Sequence, residues 1–196
     1  SLFVCSRRSG ERVLARVGKW LESNLRLKLN HKKSGVRTLS HFELLGFGFY
    51  GTKSGVRLRI GPTPYGRLKE KVRWLTRRNW PLSIGERLDR LRVYLRGWLH
   101  YFKLADGRGP LKRIDEWIRA RLRMCLWKQW IVPQARIRNL KRLGIAHWQA
   151  YQWGNTRRGY WRVAHSPILQ RSLSVGKLLE MGYYSLSAEY DRLHLT

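Results

Sequence analysis

The chain has 196 residues, 43% of them hydrophobic, and carries 41 Lys and Arg against 12 Asp and Glu, a formal net charge of +29. This hydrophobic content excludes wholesale disorder, and the length suits one or two domains with a core. A charge of this size predicts a polyanionic partner. Residues 62–143 hold 22 of the basic residues and 6 of the acidic ones, so the middle of the chain is the main electrostatic surface.

The first 61 residues mix strand and helix patterns. A short apolar run at Leu2–Cys5 predicts a strand, and apolar residues three and four apart over Gly10–Leu25 predict an amphipathic helix. Alternation over Leu27–Leu29 predicts a second strand. Two alternating runs, Leu44–Tyr50 and Val56–Ile60, flank a turn that contains glycine and predict a β-hairpin.

Beyond a proline-rich boundary near residues 61–65, the pattern is helical. Ser83 and Glu86 have the spacing of a capping box, and Gly144 stands where glycine commonly follows a helix. The predicted helices are Arg67–Asn79, Ser83–Phe102, Leu111–Trp130, Pro133–Leu143, Ala146–Trp153, Pro167–Leu173, Val175–Met181 and Ser185–Leu193, with a turn at Gly159–Trp161. The predicted fold class is therefore α+β, a small strand–helix–hairpin piece followed by a helical bundle.

Ten basic residues of the long predicted helices lie away from the apolar stripes and are candidates for contacting nucleic-acid phosphates. They are Arg87, Arg90, Arg92, Arg96, Lys112, Arg113, Arg119, Arg121, Arg123 and Lys128. The planar guanidinium group suits phosphate oxygens and base stacking. The chain also has ten Trp and nine Tyr, which we expect mostly in the core, although such rings also stack on unpaired bases.

The residues themselves predict binding rather than catalysis. Metal-dependent nucleotidyl transfer needs clustered carboxylates, but the acidic residues are scattered, and the side chains of the adjacent pair Asp115 and Glu116 diverge on a helix. The six histidines lack metal-ligand spacing, so we expect no metal or cofactor on this chain. Cys5 and Cys125 have no paired spacing, which predicts a reducing, cytoplasmic location. No transmembrane run is present, so we expect no membrane partner.

Two stretches of the first part resemble motifs of reverse transcriptases. Residues 27–34, LKLNHKKS, resemble the motif after the catalytic palm motif, and residues 44–49, LLGFGF, resemble the next one. The resemblance implies that Lys33 lies near the incoming nucleotide or the catalytic end of the palm, whereas the alternative for this residue is a solvated turn lysine. It also implies that Leu45, Gly46 and Phe47 support the primer terminus.

Three longer stretches resemble the group II intron reverse transcriptase/maturase family. Residues 90–102, RLRVYLRGWLHYF, resemble its thumb helix, residues 115–130 resemble the helix after it, and residues 159–186 resemble its C-terminal tract. The resemblance implies that residues 1–61 are the end of the palm. It likewise implies that residues 62–143 are the α-helical thumb, or maturase domain X, and that residues 144–196 are its helical extension.

The resemblance implies a protein that binds structured group II intron RNA and RNA–DNA template–primer and supports splicing. The family's fingers, earlier palm motifs and Tyr-Ala-Asp-Asp turn are not in this sequence, so we expect no RNA-directed DNA polymerase activity from the chain alone. The complete polymerase would use Mg²⁺. Two alternatives are open: a fingers–palm portion from elsewhere completes an active polymerase, or the chain is a standalone basic RNA-binding protein without polymerase ancestry.

Overall fold

The computed structural model describes residues 4–31, 34–39 and 42–195. The chain divides into two compact units, Ser1–Gly61 and Pro62–Thr196. The first unit holds a helix and a three-stranded sheet, and the regular elements described in the second unit are helices. The predicted α+β class is confirmed.

The first unit begins with helix α1, Arg7–Leu25. The hydroxyl of Ser6 accepts a hydrogen bond from the N–H of Ser9 at 3.2 Å, which satisfies one of the donors left free in the first helical turn. Much of the predicted apolar stripe is exposed, including Val17, Trp20 and Leu25. The antiparallel sheet follows in the order β1 (Glu43–Leu44), β2 (Phe47–Thr52) and β3 (Gly55–Ile60).

The predicted hairpin is confirmed, but the predicted strand Leu44–Tyr50 is interrupted by a turn. In the hairpin, β2 pairs with β3 over its whole length. In the turn, Leu44 pairs with Phe47, and the two residues between them, Leu45 and Gly46, have φ angles of 53° and 83°. Positive φ at both central positions is the geometry of a type I′ turn. The stretch Leu45–Gly46–Phe47 is therefore a tight turn that leads into β2.

The other two strand predictions are not confirmed. Leu27–Leu29 has no regular secondary structure. Extended backbone becomes a strand only beside a partner ladder, and the described sheet consists of β1, β2 and β3 alone. Within the predicted run Leu2–Cys5, the first two residues lie outside the described part of the chain, and Val4 and Cys5 are not in a strand.

The second unit is a helical bundle. Its helices are α2 (Pro62–Leu75), α3 (Ile84–Phe102), α4 (Arg108–Gln129), α5 (Pro133–Arg142), α6 (His147–Gly154), α7 (Tyr160–Ala164), α8 (Pro167–Ser172), α9 (Val175–Glu180) and α10 (Leu186–His194). Helix α2 begins at Pro62 rather than at the predicted Arg67. Proline is tolerated in the first turn of a helix, because N–H groups there have no partner within the helix and proline has none. The predicted turn at Gly159–Trp161 instead contains the start of α7.

Two local signals in the second unit are confirmed by geometry. The Ser83 hydroxyl accepts a hydrogen bond from the N–H of Glu86 at 3.2 Å, and the Glu86 carboxylate accepts one from the N–H of Ser83 at 2.9 Å. The Glu86 carboxylate also accepts a hydrogen bond from the Ser83 hydroxyl at 2.8 Å, and this bond, together with the one from the Ser83 N–H, lowers the pKa of Glu86 because both stabilise its charged form. Gly144 follows α5 with φ of 80°, the left-handed conformation that favours glycine.

Helix α4 is the central element of the second unit. Between Ile118 and Trp127 it is buried on most sides, since α7 and α10 both pack against it. The core continues without a break from residues of α2 and α3 to residues after Gly144. Its fully buried large side chains include Leu68, Leu91, Leu95, Leu99, Leu111, Ile118, Leu122, Trp127, Leu140, Leu169, Leu173 and Leu178.

Asp115 of α4 anchors the start of α10. Its fully buried carboxylate accepts hydrogen bonds from the backbone N–H groups of Leu186 and Ser187 at 2.9 and 2.8 Å. It also accepts from the hydroxyls of Tyr183, Ser185 and Ser187. Burial, and then the charge of Asp115, raise the pKa of Tyr183 well above its usual value. A negative charge at a helix N-terminus is favourable, so this contact fixes α10 against α4.

Candidate nucleic-acid interface

The structure sorts the ten predicted RNA-binding residues by exposure. Five are exposed, namely Arg90, Arg92, Arg96, Lys112 and Arg113; three are half-buried, namely Arg119, Arg121 and Lys128; and two are buried, namely Arg87 and Arg123. A buried guanidinium group already bonded to the protein cannot reach an RNA phosphate. The predicted solvent-facing position is therefore wrong for Arg87 and Arg123.

Arg87 supports the loop between α2 and α3. It is 2% exposed, and its guanidinium group donates hydrogen bonds to the carbonyls of Arg77 at 2.6 Å, Leu82 at 3.2 Å and Trp80. It also donates to the carbonyl of Leu75 at 3.4 Å, where α2 ends. A guanidinium group has five N–H donors in a planar fork, so one side chain can satisfy several loop carbonyls.

We expect Arg87→Lys to lower the free energy of unfolding by about 2 kcal/mol, because one ammonium group cannot reach all four carbonyls and leaves buried acceptors unpaired. Urea unfolding followed by tryptophan fluorescence measures this change. The exposed Arg92→Lys is the matched control and should change stability by less than about 0.5 kcal/mol. If Arg87→Lys unfolds at the parent urea concentration, Arg87 does not support the loop.

Arg121 and Arg123 lie where other segments cover α4. The Nε of Arg123 donates to the carbonyl of Leu173 at 3.0 Å, and Arg121 donates to the hydroxyl of Thr76. Burial lowers the pKa of both guanidinium groups. The amphipathic pattern predicted a solvated side for this part of α4. That is wrong at these positions because the end of α2 and the connection between α8 and α9 pack there.

Helices α2 and α3 form a shallow surface groove, lined by Arg67, Glu70, Lys71, Trp74 and Tyr94. The ammonium group of Lys71 lies 4.3 Å from the ring centre of Trp74, which is 39% exposed. The ring of Trp74 lies 4.7 Å from that of Trp80, and the guanidinium group of Arg90 is 5.3 Å from the Trp80 ring. We call the five lining residues, together with Trp80 and Arg90, the α2–α3 groove. It brings three cations and the carboxylate of Glu70 together with three aromatic rings.

A second cation–aromatic contact joins α2 to α4. The half-buried ring of Trp117 lies near the guanidinium groups of Arg73 and Arg121, whose central carbons are 5.7 and 5.3 Å from the ring centre. Each such pair stabilises a surface contact by roughly 0.5–1 kcal/mol. The contact helps to fix the side of α2 that carries the groove.

Several exposed cations elsewhere already have carboxylate partners. Arg92 pairs with Asp89 at 2.9 Å. Arg108 pairs with Asp191 at 2.9 Å, and Lys177 pairs with Glu180 at 2.7 Å. A paired cation gains less from a phosphate, because the nearby carboxylate repels the phosphate or must lose its partner. The α2–α3 groove is therefore the stronger candidate interface.

Residues 66–144 match the family model described as group II intron, maturase-specific domain. The chain contains a group II intron maturase-specific domain. Over residues 66–144, this match confirms the family that the sequence resemblance indicated. A comparison with curated proteins finds no match. The maturase domain includes the whole α2–α3 groove and all ten predicted RNA-binding residues.

Of the seven residues of the α2–α3 groove, the sequence predictions included Arg90 and missed six, namely Arg67, Glu70, Lys71, Trp74, Trp80 and Tyr94. Lys71 and Trp74 are three residues apart on α2, outside the buried positions Leu68, Val72 and Leu75, so helical spacing alone offered a signal for them. No sequence pattern indicated Trp80 or Tyr94. Their position in the groove depends on the path of the loop between α2 and α3, which brings α3 beside α2.

The residues predicted to lie near the nucleotide and primer belong to the first unit, outside the maturase domain. Lys33 lies outside the described residues, Leu45 is exposed in its turn, and Phe47 begins β2. Across residues 4–31, 34–39 and 42–195, no group of three or more His, Cys, Asp or Glu is placed to hold a metal ion. The described side chains therefore do not fit the Mg²⁺ ions of a polymerase. None of the helices in this part of the chain has the length and apolarity needed to cross a bilayer.

Proposed function

We propose that this chain binds structured group II intron RNA through the α2–α3 groove of its maturase domain and thereby supports splicing. The observation that carries the proposal is the groove itself, where Lys71 and Arg90 lie over Trp74 and Trp80. Cations hold phosphates, and exposed rings stack on unpaired bases. RNA helices are recognised largely by shape, which suits a rigid surface of this kind.

The core beneath the groove holds its cations at fixed spacing. Leu68 and Val72 of α2 and Leu91 and Leu95 of α3 are at most 1% exposed. Burial of each such side chain contributes about 2 kcal/mol. The groove is therefore formed before RNA arrives, so binding does not have to order the helices.

The first unit supports a second part of the proposal, polymerase ancestry with contact to an RNA–DNA template–primer. Its support is the LLGFGF resemblance, with the tight turn at Leu45–Gly46 leading into the hairpin. In this proposal residues 1–61 derive from a palm and the helices after them from a thumb. A fingers–palm portion from elsewhere would supply the catalytic carboxylates and the Mg²⁺ site. The proposed location is the cytoplasm.

Binding to a structured fragment of group II intron RNA should weaken steeply with salt. Between 50 and 200 mM KCl, we expect the dissociation constant to rise about 100-fold or more, which corresponds to roughly four phosphate contacts. Fluorescence anisotropy measures this change. A rise of less than about threefold would contradict the proposal. An RNA–DNA hybrid added as competitor tests the template–primer part alone, which fails if the hybrid does not compete.

A further inference from the structure

Helix α6, which follows the matched maturase domain, carries an exposed aromatic pair. Trp148 is 65% exposed and Tyr151 is 61% exposed, and residues three apart share one side of a helix. Ala150 and Gly154 of α6 are buried, and a Cβ added to Gly154 would lie 2.5 Å from Cγ1 of Ile137 on α5. This close approach holds α6 against α5, while Trp148 and Tyr151 remain exposed.

The surroundings of the pair are strongly cationic. Between Glu116 and Glu180 the sequence has no acidic residue, whereas residues 117–179 include thirteen Lys and Arg. The exposed cations on α5 and just after α6 are Arg138, Lys141, Arg142, Arg157 and Arg158. A partner for this surface must offer negative charge beside flat apolar faces. Unpaired nucleotides offer both in each repeating unit.

We propose that Trp148 and Tyr151, the α6 platform, stack on unpaired RNA nucleotides whose phosphates contact the cations around α6. The inference rests on the proposed RNA-binding function and adds a second contact site with its own ligand class. Gln152 is exposed beside Tyr151 and offers an amide to a base edge.

The test compares a ten-nucleotide oligoadenylate with a perfect RNA duplex of 20 base pairs, both bound to the full chain at fixed salt. Trp148→Ala with Tyr151→Ala should weaken oligoadenylate binding about tenfold or more, because the stacking contact between each ring and a base is lost. Duplex affinity should change less than about twofold, because paired bases do not present their faces. Trp148→Phe with Tyr151→Phe should restore most of the oligoadenylate affinity, since the aromatic faces remain.

A matched control removes one Trp and one Tyr of similar exposure that do not share a helix side. Trp20 is 56% exposed and Tyr101 is 54% exposed, so Trp20→Ala with Tyr101→Ala makes the same chemical change elsewhere. This control should bind oligoadenylate within about twofold of the parent chain, because the α6 platform is intact. Urea unfolding midpoints should agree among all variants, because the replaced side chains are exposed.

Two failures of the test have different meanings. If the parent chain binds neither RNA, the proposed function itself fails. If it binds RNA but the alanine pair loses no oligoadenylate affinity, or loses duplex affinity equally, the stacking role of α6 is overturned alone. If the alanine pair prevents the binding of a protein partner and leaves both RNA affinities unchanged, the stacking role is also overturned. The surface around α6 would then be a protein-binding surface.

Discussion

Asp115→Ala should lower the free energy of unfolding by about 3 kcal/mol or more, because five hydrogen bonds from the start of α10 and its neighbours lose their acceptor. Each buried donor left unpaired costs roughly 1–3 kcal/mol, and local relaxation returns part of the sum. Urea unfolding followed by tryptophan fluorescence measures the change. Amide hydrogen exchange should also become faster in α10, since its first N–H groups lose their cap.

Two variants control for the Asp115 result. Glu116→Ala removes the exposed neighbouring carboxylate and should change stability by less than about 0.5 kcal/mol. Asp115→Asn should lie between the parent chain and the alanine variant. Its amide keeps an acceptor for Tyr183 and Leu186, but it faces Ser187 with a donor. If Asp115→Ala is as stable as the parent chain, the buried carboxylate does not anchor α10.

Replacing Arg67, Lys71 and Arg90 together by alanine should weaken binding to structured intron RNA on the order of 100-fold at 0.1 M salt. The three cations belong to the α2–α3 groove, where phosphate contact would accompany base stacking on Trp74. Counterion release at this salt contributes about five- to eightfold for each phosphate contact, so the loss of three contacts gives a factor in the low hundreds. The slope of log affinity against log salt concentration should also become shallower by about 2–3 units.

The control for the groove variant removes the same charge elsewhere. Arg92, Arg108 and Lys177 pair with Asp89, Asp191 and Glu180, so their replacement by alanine lowers the net charge equally. We expect this control to weaken binding less than about fivefold, because only the long-range field changes. Equal losses in the two triple variants would show that net charge, not the groove, holds the RNA.

Much of the second unit could be predicted from sequence because its signals are local. Ser83 and Glu86 are three residues apart, and their reciprocal cap forms within one helical turn. Gly144 follows α5 in the left-handed backbone conformation, which glycine adopts without steric cost. The family was also readable, because residues 90–102 and 115–130 carry ordered motifs along single helices. These stretches lie within the matched maturase domain.

The errors concern contacts between distant parts of the chain. Arg87 had the position of a solvated residue beside an apolar stripe, yet the loop before α3 turns back and places its carbonyls around the guanidinium group. Leu27–Leu29 alternates like a strand but gains no ladder partner in the described sheet. Helical and strand periods predict which side of an element is apolar, but they do not predict what covers the polar side.

The sequence by itself determined the strong positive charge, the helix boundaries set by Ser83, Pro133 and Gly144, and the maturase family. Each of these depends on composition or on residues that are neighbours along the chain. Only the tertiary structure decided which cations remain exposed to solvent and that Asp115 anchors α10. Burial and hydrogen bonding depend on segments tens of residues apart, so the same arginine can become a loop support or a phosphate contact according to what packs above it.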